Sequence, residues 1–225
     1  MPFSFSYILL IVVMLALGLG SQAAIKMTYK RWQKVGVAMG LSGAQVARQM
    51  LNSHGLTNVS VQCVAGELTD HFDPRTGVVS LSKTVYNSTS VSAVAVACHE
   101  CGHALQYAEG FLPMRARSAI LPVVNFCSNA WVFVLLVGIF LGMLNLVWAA
   151  IILYAAVIVF QLITLPVEFN ASHRGLDYIK SSFPLMAGEY KGARSVLTAA
   201  AMTYVAAALS SLLYLFYMLG FARQN

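Results

Sequence analysis

His99-Glu100-Cys101-Gly102-His103 reads H-E-x-x-H. On a helix, histidines four residues apart lie about 40° apart and one turn apart, so both imidazoles can reach one tetrahedral Zn²⁺ at about 2.0–2.1 Å. Glu100 is rotated about 100° from His99. That is near enough to reach water carried by the metal without replacing it. Zinc lowers the pKa of such water to about 7, and an adjacent carboxylate can take its proton as the oxygen attacks a peptide carbonyl. The bland alternative is a surface histidine pair on an amphipathic helix; the helical context that the motif requires favours the metal.

An open catalytic site needs a third protein ligand. The metzincin extension would place glycine at 106 and histidine at 109, where this chain has Gln106 and Glu109. Glu109 lies about 280° around the helix from His99 and should point away. Glu168 is the better choice. It opens a polar segment where an apolar span ends, and an acidic residue just inside a helix start is favourable. Cys98 and Cys101 form C-x-x-C across the motif, but a c-type haem site would need histidine where Gly102 stands. They sit about 100° from His99 and about 160° from His103, which suits buried small hydrophobes. Asp73 is accounted for by a turn containing Pro74 and Gly77. His71 remains a candidate to contact a ligand residue or substrate.

The elements that must hold these groups follow from local signals. Ser88 or Ser90 can cap a helix from about Val91 to Glu109, stopped by Gly110. Residues 36–54 read as an amphipathic helix with Gly55 as its stop. Val59 to Cys63 alternates as a strand does, Asp73 to Gly77 is a turn, and Val78 to Leu81 is a second strand. That second strand either accepts an extended substrate backbone at its edge or is an ordinary structural strand.

The rest of the chain points to lipid. Of 225 residues, 59% are hydrophobic and 10% charged, against about 25% charged in a soluble domain. A soluble enzyme, a disordered chain and a nucleic-acid binder are thereby excluded. Met1 to Ile25, Ser118 to Val167 and Ser195 to Ala222 carry no charged side chain. The middle block is too long for one crossing of a layer about 30 Å thick, so it should fold back near Gly142 to Asn145. Four spans result, at roughly 3–24, 119–141, 146–166 and 196–221. All but Arg223 of the fourteen Lys and Arg residues lie in 26–117 and 168–194. Those segments should be cytoplasmic, with both termini outside. A cleaved leader, suggested by Ser21-Gln22-Ala23, is disfavoured because the basic cluster follows the apolar stretch. The expected organisation is an anchor at 1–25, a zincin domain at 26–117, a hairpin at 118–167, a third-ligand segment at 168–194 and a last span with its tail at 195–225. Small residues such as Ala199 to Ala201 suit close packing in the last span, within the chain or between copies.

Three stretches together resemble a known family. They are Ser-Val-Ser-Ala-Val-Ala-Val-Ala-Cys-His-Glu-Cys-Gly-His-Ala-Leu-Gln (90–106), Leu-Thr-Asp-His-Phe-Asp-Pro-Arg-Thr-Gly (68–77) and Leu-Pro-Val-Glu-Phe-Asn-Ala-Ser-His-Arg (165–174). The chain resembles the YugP-like neutral zinc metallopeptidases, similar to heat-shock membrane and CAAX-prenyl proteases of the gluzincin group. The resemblance implies one zinc ion on His99, His103 and Glu168, with Glu100 as general base and acid. In the related proteases an aspartate four residues after the glutamate ligand can hold a zinc-bound histidine; here Ser172 stands there. His173, Arg174, Tyr178 and Tyr190 are candidates to stabilise the developing oxyanion.

The expectation is a mostly α integral membrane protein of about four spans with a small α+β gluzincin-like domain. It would hydrolyse membrane-associated or misfolded polypeptides. The competing reading is a non-proteolytic zinc-binding membrane scaffold or assembly partner.

Overall fold

A computed structural model describes residues 5–183 and 187–224. The expected first span starts at residue 3, so its first two positions lie outside the described residues, as do 184–186 of the second polar segment. The chain is mostly helical. Helix α1 (Phe5–Gln33) is followed by α2 (Gly43–Ser53), β1 (Ser60–Val64), β2 (His71–Asp73), β3 (Val78–Ser82), α3 (Lys83–Tyr86) and α4 (Val91–Ala108). Three long helices close the chain: α5 (Leu112–Phe140), α6 (Leu144–Ser182) and α7 (Ala187–Gln224). Helices α1, α5, α6 and α7 are long and apolar enough to cross a membrane. Each overruns its expected span, because helix continues into the flanking polar residues.

The break between α5 and α6 falls where the uncharged block was expected to fold back. Gly142 has φ +65°, a backbone that costs glycine nothing and other residues more. Its N–H reaches the Ile139 carbonyl at 3.3 Å and the Met143 N–H reaches the Gly138 carbonyl at 2.8 Å. This pair of bonds closes a helix C-terminus.

The chain divides into two compact units. One comprises the described parts of Met1–Gln22, Arg115–Leu165 and Thr203–Asn225. Its core joins Leu135, Val147, Ala150, Ile151 and Met218 to an aromatic cluster in which the Trp131 and Tyr154 rings lie 4.5 Å apart. The other comprises Ala23–Met114 and Pro166–Met202. Val46, Met50, Leu51, Val79, Leu81, Val94, Cys98, Ile179 and Leu197 are buried in its core.

The second unit carries a three-stranded sheet ordered β1-β3-β2, with β1 parallel and β2 antiparallel to β3. Strand β3 is therefore central, so the edge-docking expectation for Val78 to Leu81 fails. The neighbour that covers it, β2, has three residues, too few to announce itself by alternation. The Asp70 carboxylate, just before β2, accepts from the Ser82 N–H at 2.7 Å and its hydroxyl at 3.0 Å. The expected helix over 36–54 also shortens to α2. Gly36 instead bridges to Ser90, the Val37 N–H donates to the Thr89 carbonyl at 2.8 Å, and Gly40 turns the chain at φ +65°. Helix starts only at Ser42, whose hydroxyl and Gln45 form a reciprocal capping box.

Leu81 is fully buried on the central strand. Leu81→Ala should cost about 2–5 kcal/mol and lower the thermal unfolding midpoint in detergent. An unchanged midpoint would show that this core does not rest on β3.

Candidate metal centre

Helix α4 presents the histidines. Ser90 caps it by accepting from the Ala93 N–H at 3.3 Å. At its other end Gly110 donates to the Tyr107 carbonyl at 3.1 Å, and Phe111 to the Gln106 carbonyl at 2.9 Å. The helix is buried almost throughout, including Glu100, Gly102, His103 and Gln106.

Helix α6 lies directly against it, and two glycines permit the approach. A Cβ on Gly102 would stand 2.5 Å from the Ala171 carbonyl oxygen, and one on Gly175 3.1 Å from the Cys98 carbonyl carbon. On α6, positions 168, 171, 172 and 175 share one stripe by helical spacing. The crossing that seats Ala171 and Gly175 on α4 therefore delivers Glu168 and Ser172 to the histidines.

The metal-ligating atoms of His99, His103 and Glu168 lie within 4.8 Å of one another. Glu168 Oε2 is 3.3 Å from His99 Nε2 and 3.6 Å from His103 Nε2. Tetrahedral zinc with donors at about 2.0–2.1 Å separates them by about 3.3 Å, so the two Glu168 distances suit zinc in spacing and the donor set suits it in chemistry. The other ring nitrogens are engaged: His99 Nδ1 lies 3.1 Å from Ser172 Oγ, and His103 Nδ1 lies 3.0 Å from Gln106 Oε1. Burial pushes the Glu100 carboxyl above its usual range, against the lowering influence of His99 and His103.

Glu168 was expected near a helix start; it lies inside α6, which runs unbroken through Pro166. The proline and the end of the uncharged run mimicked a boundary.

The other sequence candidates separate. His173 is exposed and pairs with Asp177 at 3.1 Å. Arg174 grips the Glu109 carboxylate with two nitrogens, at 2.8 and 2.7 Å. That pairing, first through the hydrogen bond, holds the Glu109 carboxyl below its usual range. It also keeps Glu109 out of the donor set, as its angular position on the helix required. His71 is exposed on β2, its Nδ1 2.8 Å from the Thr69 carbonyl, and does not belong to the donor cluster. Tyr178 is buried in the core and Tyr190 packs against it. Asp73 caps its turn by accepting from the Arg75 N–H at 2.9 Å. Cys98 and Cys101 are fully buried, and burial pushes both thiols up. Gln106 and Asn170 are absent from the sequence candidates: each meets a helical neighbour, His103 and Arg174, but the contacts of Gln106 with Val167 and Asn170 join residues some sixty positions apart, without any local signal.

Two histidines on one helix and a glutamate on a second form a possible metal site, in a chain with four candidate membrane spans. The family model described as "Putative neutral zinc metallopeptidase" matches residues 7–223, and the chain belongs to this family. It is 47% identical over 206 residues, covering 92% of each chain, to the protein of Bacillus subtilis (strain 168) described as "Putative membrane protease YugP". No solved structure matches it.

Gly102→Ala should force α4 and α6 apart. We expect a loss of about 1–3 kcal/mol, the usual result of overpacking, together with weaker zinc binding in a chelator competition. Gly188→Ala, which meets nothing within 4 Å, serves as the silent control. Equal zinc affinity in the two variants would show that the close crossing does not set the site.

Proposed function

We propose that this chain is a zinc-dependent metalloendopeptidase of the gluzincin type, with His99, His103 and Glu168 as the metal ligands and Glu100 as the general base and acid. The carrying observation is the convergence of three donors from two helices, with a second buried carboxylate, Glu100, on the helix of the histidines. Zinc, when bound, supplies Lewis acidity: it polarises the scissile carbonyl and makes water acidic enough to deprotonate near neutral pH. Glu100 takes a proton from the attacking water and returns it to the leaving amine, and its burial supports both roles by raising its proton affinity. His99 and His103 contribute Nε2, since each Nδ1 faces another side chain. Ser172 orients His99.

Three protein ligands leave a position for water, whereas a structural zinc site usually fills all four with protein atoms; this favours the enzyme over the scaffold. The substrates are membrane-associated polypeptides, a reading supported by four helices long and apolar enough to cross a bilayer. The concentration of Lys and Arg in segments 26–117 and 168–194 supports a cytoplasmic position for these segments, with both termini outside.

Glu100→Gln should reduce peptide hydrolysis by about 10²–10⁴-fold while purified protein still holds one zinc by elemental analysis. Unchanged hydrolysis would remove Glu100 from the chemistry. Glu168→Ala should lose the metal. Replacing both Cys98 and Cys101 with alanine should leave hydrolysis intact; its abolition would favour thiol chemistry. For orientation, alkaline phosphatase fused after the last span should be active and the same enzyme inserted in 26–117 inactive.

A further inference from the structure

Gln106 is fully buried, and its amide has one consistent orientation. Its Nε2 donates to the Val167 carbonyl at 2.7 Å and to Asn170 Oδ1 at 3.0 Å. A carbonyl only accepts, so the nitrogen must face Val167 and the oxygen must face His103. The Asn170 orientation is fixed in the same way. Its Oδ1 also accepts from Arg174 Nε at 2.7 Å, and guanidinium only donates. Arg174 is itself held by the two bonds to Glu109. Every bond in this chain of contacts therefore has a defined direction, from a surface ion pair to a buried imidazole.

We propose that Gln106, Asn170 and Arg174 form a directional relay of positioning residues, which fixes the proton of His103 on Nδ1 and leaves Nε2 with its lone pair toward the metal position. Gln106 Oε1 can only accept, so the proton between it and His103 must sit on the imidazole. A neutral imidazole with Nδ1–H is the form whose Nε2 ligates, and outer partners of this kind orient a ligand histidine. Asn170 contributes nothing but its oxygen, which accepts from both neighbours. Arg174, considered from the sequence as an oxyanion stabiliser, acts instead at the far end of this relay. The inference rests on the assignment of His103 as a ligand.

The test is zinc affinity of the full chain in detergent, measured by chelator competition, with the visible absorption of the cobalt-loaded protein as a second readout. Gln106→Leu and Asn170→Leu should each weaken zinc binding by about 10–100-fold and alter the cobalt spectrum. Asn170→Asp, which keeps acceptor oxygens for both Gln106 and Arg174, should restore the native affinity and spectrum. Arg174→Met, a change at the accessible end, should weaken binding in the same direction as Asn170→Leu without loss of the metal-free fold by thermal unfolding. Native affinity in Gln106→Leu or Arg174→Met, or a loss in Asn170→Asp as large as in Asn170→Leu, would overturn the relay. His103→Ala that binds zinc like the unaltered chain would instead overturn the ligand assignment.

Discussion

The contact between α4 and α6 at Gly102 and Gly175 is the constraint on which the site depends. Neither helix carries a complete donor set. His99 and His103 come from one, Glu168 and Ser172 from the other, and the spacing between them is set by backbone meeting backbone. A methyl group at either glycine acts as a spacer, and tightly packed interiors have no slack in which to absorb it. Packing brings the Glu168 carboxylate within range of the two imidazoles. The remainder of the second unit serves this crossing: α2 and the sheet bury the far side of α4, and the Ser90 cap fixes where that helix begins.

The same geometry gathers ionisable groups in a buried place. Glu100, His103 and Glu168 are each less than a tenth exposed. Burial of carboxylates is costly unless charge and hydrogen bonds compensate them. The imidazoles offset part of that cost, and a divalent cation offsets more, so occupancy of the centre and stability of the fold are linked. The buried thiols take no part in this balance. Burial keeps both thiols neutral, and Cys101 packs against α2 with its Sγ 3.6 Å from the Ala47 carbonyl.

What could be read from the chain alone was whatever has a local signature. The H-E-x-x-H helix, its serine cap, its glycine stop and the turn at Gly142 each depend on residues within a few positions of one another, and each lies close to where it was expected. The stretch from Gly36 to Leu41 was misread because its apolar residues imitate a helix while Gly40 takes a left-handed turn and pairing with the start of α4 claims the backbone. Strand β2 was too short to see. Pro166 suggested a boundary that α6 does not have. The partners of His103 were beyond reach for another reason: nothing near Gln106 in sequence reveals that its amide will meet Val167 and Asn170 on a different helix.

Helices fray from their ends, and α4 ends at Ala108, close to His103. The Phe111 N–H that closes its last turn is received by the carbonyl of Gln106, the residue whose side chain meets both His103 and α6. Unwinding from Ala108 can thus travel barely one turn before it disturbs the imidazole's neighbour. Amide exchange at Phe111 should consequently report on the order of the centre itself, although this amide lies outside the helix.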